Sequence, residues 1–116
     1  MASLTTYPRS AKPGVPVWVN ESPLTLVAEE DVIFTLQWIG GSSLASPAML
    51  AYADGTDVSS TVLTGTTTVS GDVQTLKKLT AMTPGVTYVL EIQCDIGSNT
   101  EFRKLLVYAV SRSSEI

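Results

Sequence analysis

The run Leu79-Thr80-Ala81-Met82-Thr83-Pro84-Gly85-Val86-Thr87-Tyr88-Val89-Leu90-Glu91-Ile92 constrains this chain more than any other segment. A Pro-Gly turn leads at once into an alternating apolar strand, with Tyr88 three residues past Gly85. Apolar residues stand on both sides of the turn, so the chain must leave one buried layer and enter another. In small antiparallel sandwiches this arrangement marks the crossover between the two sheets. There a buried Tyr hydroxyl bonds back to the preceding backbone. The motif speaks to fold and carries no chemistry.

The rest of the chain reads the same way. Val32–Ile39 places Val32, Phe34, Leu36 and Trp38 on one face at period two, with Thr35 and Gln37 on the other. Ala48–Ala53 is a strand stopped by Asp54-Gly55, a strong hairpin signal. Val86–Ile96 is long, with Tyr88, Leu90, Ile92 and Cys94 on one face. It turns through Gly97-Ser98-Asn99 into a returning strand over Thr100–Val110. Shorter strands are predicted at Leu24–Ala28, Ser60–Leu63, Thr66–Ser70 and Val73–Leu79. Pro16 limits Val15–Val19 to an edge strand or an extended segment. No helix of useful length is supported. Seven or eight short strands separated by turn residues predict an all-β, antiparallel sandwich over residues 15–111, with a partly open barrel the alternative that the same strand pattern allows. Residues 1–14 hold Pro8, Pro13 and Gly14 without apolar period and read as an extended N-terminal arm. Residues 112–116 read as a polar tail.

Composition sets limits on function. A chain of 116 residues fits one domain and can bury a core. A net charge of −4, with Lys77-Lys78 and Arg103-Lys104 the only adjacent basic pairs, argues against nucleic acid. No apolar run approaches the length of a membrane span, and residues 1–8 lack the features of a signal peptide. The chain has no His and one Cys, so triads and zinc sites are not expected. Cys94 lies in an apolar alternation and reads as a buried, inert thiol. Asp54 and Asp57 allow half a calcium loop or an Asx-type hairpin turn, and the second fits the missing further ligands better. Glu29-Glu30-Asp31 reads as a charged turn that discourages edge-to-edge pairing, with cation recruitment the alternative. No catalytic residue, cofactor or metal site is expected.

Among the aromatics, Phe34, Trp38 and Tyr88 lie on apolar strand faces and read as core. Tyr7 and Trp18 lie in or beside the proline-bearing N-terminal segment, together with Arg9 and Lys12. These four are candidate partner-binding residues, since Tyr, Trp and Arg dominate binding hot spots. The alternative is that the segment folds back and covers its own sandwich.

From Thr64 to Arg112 the chain resembles the small immunoglobulin-like proteins of tailed-bacteriophage particles. The resemblance is carried by Thr67-Thr68-Val69-Ser70-Gly71-Asp72, by Leu79 to Tyr88, and by the closing strand Glu101 to Val110. Lys12-Pro13-Gly14 and Leu36-Gln37-Trp38 are similar to the opening of that group. The resemblance implies an immunoglobulin-like sandwich and a non-enzymatic structural role in the virion. It implies a capsid decoration protein that binds the major capsid protein, or another virion protein, through residues 1–19. A tail or fibre adaptor is the alternative within the class. It further implies synthesis in the host cytoplasm and a homo-oligomer, first of all a trimer. A carbohydrate- or receptor-binding sandwich module is the reading from a different class, and it requires exposed aromatics clustered on one surface.

Overall fold

The apolar alternation after Gly85 forms the centre of the molecule. The structure, a computed structural model, describes residues 2–112, so Met1 and most of the expected tail lie outside it. In chain order the strands are β1 (Ala2–Thr6), β2 (Leu24–Val27), β3 (Phe34–Trp38), β4 (Leu44–Ala53) and β5 (Thr56–Asp57). One helical turn, α1 (Ser59–Val62), precedes β6 (Leu63–Thr64), β7 (Thr68–Ser70), β8 (Val73–Thr75), β9 (Lys78–Leu79), β10 (Thr87–Ile96) and β11 (Asn99–Val110). They form a five-stranded sheet ordered β2-β11-β10-β4-β5, a four-stranded sheet ordered β1-β3-β8-β7, and a small β6-β9 ribbon.

β10 buries Tyr88, Leu90, Ile92, Cys94 and Ile96, which is the alternation its sequence demands. Its register with β11 runs from Thr87↔Tyr108 to Ile96↔Asn99, leaving Gly97 and Ser98 as a two-residue turn. From the opposite sheet β3 contributes Phe34, Leu36 and Trp38, all buried. Asp54 and Gly55 both take positive φ, +50° and +77°, which lets the β4–β5 hairpin follow the twist of its strands. At the Pro-Gly corner Gly85 has φ +84°, and the Thr83 N–H donates to the Tyr88 hydroxyl at 2.8 Å. The expected corner bond is therefore made. Pro47 sits where β4 and β10 slip register between Gln93 and Asp95, an irregularity that tolerates a residue without an N–H.

Three expectations are revised. The sandwich is not purely antiparallel: β1 runs parallel to β3, and β2 runs parallel to β11. Ser60–Leu63 is not one strand. The Asp57 carboxylate accepts the Ser59 N–H at 2.8 Å, and the Ser59 hydroxyl accepts the Ala51 N–H at 2.8 Å. These local bonds wind Ser59–Val62 into a turn of helix before the chain extends again. The N-terminal segment is extended, but residues 2–6 are built into the four-stranded sheet as β1, with Leu4 and Thr6 buried. The arrangement seen is the one in which the segment folds back onto its own sandwich.

Both sheets cover an edge with a carboxylate. Glu21 accepts the Thr5 N–H and the Thr5 hydroxyl, each at 2.7 Å, along the outer side of β1. Glu30 accepts the Val27 N–H at 3.0 Å at the end of β2. An edge whose donors are occupied offers less to a foreign strand. Glu30 thus occupies one donor at the end of β2, while Asp31 accepts the Thr80 hydroxyl at 2.6 Å.

Candidate functional site

Two places hold the groups from which a site could be built. The first is the end of the core beside the β10–β11 turn. Leu105, Val107 and Ala109 face inward on β11, so the same parity drives Arg103 and Glu101 inward as well. Arg103 is 1% exposed, a position that an arginine tolerates only when its donors are used. Nε donates to the Thr6 hydroxyl at 3.1 Å, Nη1 to the Phe102 carbonyl at 2.7 Å, and Nη2 to the Tyr7 carbonyl at 2.9 Å. Nη2 also pairs with Glu101 Oε1 at 2.6 Å. The guanidinium lies 5.0 Å from the centre of the Trp38 ring, a cation–π distance. Glu101 accepts the Arg9 N–H through both oxygens, at 3.0 and 3.2 Å. Burial pushes the Arg103 guanidinium below its usual value, and Glu101 pulls it back. It remains a cation at physiological pH.

The network continues across the core. Trp38 Nε1 donates to Gln74 Oε1 at 3.2 Å, and Gln74 Nε2 donates to the Gln93 carbonyl at 3.2 Å. Gln74 on β8 thereby ties the four-stranded sheet to β10 of the other. Among the described residues no buried side-chain nitrogen or oxygen lacks a partner. An open groove of about 560 Å³ runs past this end, lined by Arg9, Val17, Ser98 and Phe102 among others. Arg9 Nη1 donates to the Pro13 and Val15 carbonyls, and Arg103 places four of its five N–H donors on protein acceptors. This end is a structural latch on the N-terminal segment.

The second place is the outer face of the five-stranded sheet. Residues alternate, so each inward residue of β4, β10 and β11 implies an outward neighbour. The register lines up Lys104, Glu91 and Leu50 across β11, β10 and β4. Trp18 joins that row through a parallel bridge to Lys104 on the far side of β11. The adjoining rows bring Phe102 beside Gln93 and Leu106 beside Val89 and Tyr52. Trp18, Leu50, Phe102 and Tyr108 are 38–44% exposed. Large apolar side chains gathered on one face differ from the scattered ones that any surface carries.

The four sequence candidates divide between these places. Tyr7, Arg9 and Lys12 lie at the latch, where the Lys12 ammonium stands 5.0 Å from the Tyr7 ring centre and Arg9 closes its own loop. Trp18 lies on the sheet face beside Lys104. Phe34, Trp38 and Tyr88 are buried, as their strand positions require. Sequence reasoning missed Glu101 and Arg103 as inward groups, and Leu50 and Phe102 as outward ones. The signal was the alternation of Leu105, Val107 and Ala109, extended back four residues from Leu105 to Glu101.

The remaining chemical candidates are quiet. The Asp57 carboxyl is held below its usual 3.8 by the Ser59 side chain and then by the Ser59 backbone, so it serves the Asx-type turn. No group of three or more His, Cys, Asp or Glu side chains comes together as a metal site among the described residues. Cys94 is buried, and desolvation raises its thiol above the usual 9.0. No helix among the described residues is long and apolar enough to cross a membrane. The fold and these surfaces define the class at a coarse level: an all-β sandwich whose prominent accessible feature is an apolar sheet face. No protein-family model matches the chain, and no curated protein matches it.

Proposed function

We propose that this chain is a non-enzymatic structural protein of a bacteriophage particle, a capsid decoration protein that assembles through the outer face of its five-stranded sheet. The observation that carries the assembly reading is that four exposed large side chains, Trp18, Leu50, Phe102 and Tyr108, share one sheet face. The particle itself comes from the resemblance of Thr64–Arg112 to phage virion proteins. Trp18 takes the role of contacting a neighbouring subunit expected of residues 1–19, because residues 2–6 are occupied within their own sheet.

A tail or fibre adaptor is the second reading. It is favoured by a second surface group, the exposed Lys12 ammonium 5.0 Å from the half-buried Tyr7 ring at the latch end. An adaptor holds two different partners and needs two surfaces.

Quantitative peptide mass spectrometry on purified particles separates these readings. A copy number comparable to the shell protein supports decoration. A handful of copies supports the adaptor. Absence from particles overturns both and favours a glycan- or receptor-binding module, for which glycan-array binding lost in Trp18→Ala is the following test.

A further inference from the structure

The apolar sheet face carries a charge pattern that specifies its own partner. Lys104 and Glu91 stand directly opposite each other on β11 and β10, yet they form no ion pair among the described residues. An unpaired cation and an unpaired anion therefore lie side by side at the middle of the face. Trp18 flanks the cation and Leu50 flanks the anion, so the row reads apolar, positive, negative, apolar.

Such a row is complementary to itself under a two-fold rotation. Consider an axis lying in the interface above the seam between β10 and β11. It sets each Lys104 over the partner's Glu91 and each Trp18 over the partner's Leu50. Leu106 on the adjoining row meets the partner's Val89 in the same way. Two sheets stacked face to face stay within about 30° of alignment, which keeps the central row in contact. The three long strands β4, β10 and β11, about ten residues each at about 3.4 Å per residue and about 4.8 Å apart, give about 500 Å² per copy. The total of about 1,000 Å² sits at the threshold that a specific interface must clear.

We infer that the first occupant of this face is a second copy of the chain, in an isologous two-fold dimer stacked sheet to sheet. The inference deepens the assembly reading above and rests on it for the choice of face. It departs from the trimer that the phage resemblance implies, because a self-complementary patch closes with two copies.

Sedimentation equilibrium of the full chain tests it. The dimer is twice the 12.3 kDa chain mass, and dimer is the expected species at micromolar concentration. Lys104→Glu alone and Glu91→Lys alone should each weaken dimerisation by about tenfold or more, since each sets like charges against each other. The combined reversal, Lys104→Glu with Glu91→Lys, should restore it. Circular dichroism and thermal unfolding of each variant confirm that the monomer is folded. A monomer or a trimer for the unaltered chain overturns the proposal, as does a double reversal no tighter than the singles. The virion reading stands or falls separately, on copy number in particles.

Discussion

The two ends of β10 close the same core by opposite means. At the corner end the closure is hydrocarbon around one neutral hydrogen bond, from the Thr83 N–H to the Tyr88 hydroxyl. At the turn end it is a buried cation, a buried carboxylate and a chain of polar contacts from Thr6 to Gln93. The corner needs only local sequence, five residues from donor to acceptor. The latch joins residues 97 positions apart and can form only when the whole sandwich is in place. Apolar closure is tolerant of small losses. Ionic closure is not, because each partner left alone is a charge out of water.

That contrast can be broken by measurement. Arg103→Ala should cost about 3–5 kcal/mol, because it abandons Glu101 in the core and releases the Thr6 and Tyr7 acceptors. Urea unfolding measures it, and a loss below about 1 kcal/mol would make the latch ornamental. Arg103→Met combined with Glu101→Leu should be more stable than Arg103→Ala alone, since no charge is stranded. Leu90→Ala, in the hydrocarbon between the two ends, should cost about 2–5 kcal/mol by the same assay. Tyr88→Phe removes the corner bond while keeping the ring and should cost about 0.5–1.5 kcal/mol. A loss as large as that of Arg103→Ala would erase the difference between the ends.

The smallest effect is a pH dependence near the latch. Burial raises the Cys94 thiol above 9.0, so the folded chain keeps a proton that the unfolded chain releases. Deprotonation then favours the unfolded state, and stability falls as pH rises from about 9 toward the raised folded value. Stability curves of the unaltered protein and of Cys94→Ala should diverge only in that alkaline window. Parallel curves would remove Cys94 from the account.

The same division governs what the sequence disclosed. The corner, the Asp54-Gly55 hairpin and the alternation of β3, β10 and β11 were legible because their signals are local. The β1 pairing was not, since Pro8 and Pro13 dominate residues 1–14 and a five-residue strand held by a distant partner has little period of its own. Arg103 and Glu101 were not, because a charged residue on a strand reads as outward until the parity of its neighbours is followed through. Of the candidate binding residues, Trp18 keeps an accessible position on the sheet face, while Arg9 is bound within its own loop. The outer face needed the register, because Trp18, Lys104, Glu91 and Leu50 come from four separate stretches of chain.

The separation of Thr6 from Arg103 also orders events on the ribosome. Ala2–Thr6 is translated long before the guanidinium that fastens it. Before Arg103 is made, β1 can pair with β3, but Thr6 and Tyr7 lack the buried bonds that fasten them to the last strand. The buried arginine thus makes closure of the leading strand wait for β11, the strand that carries it.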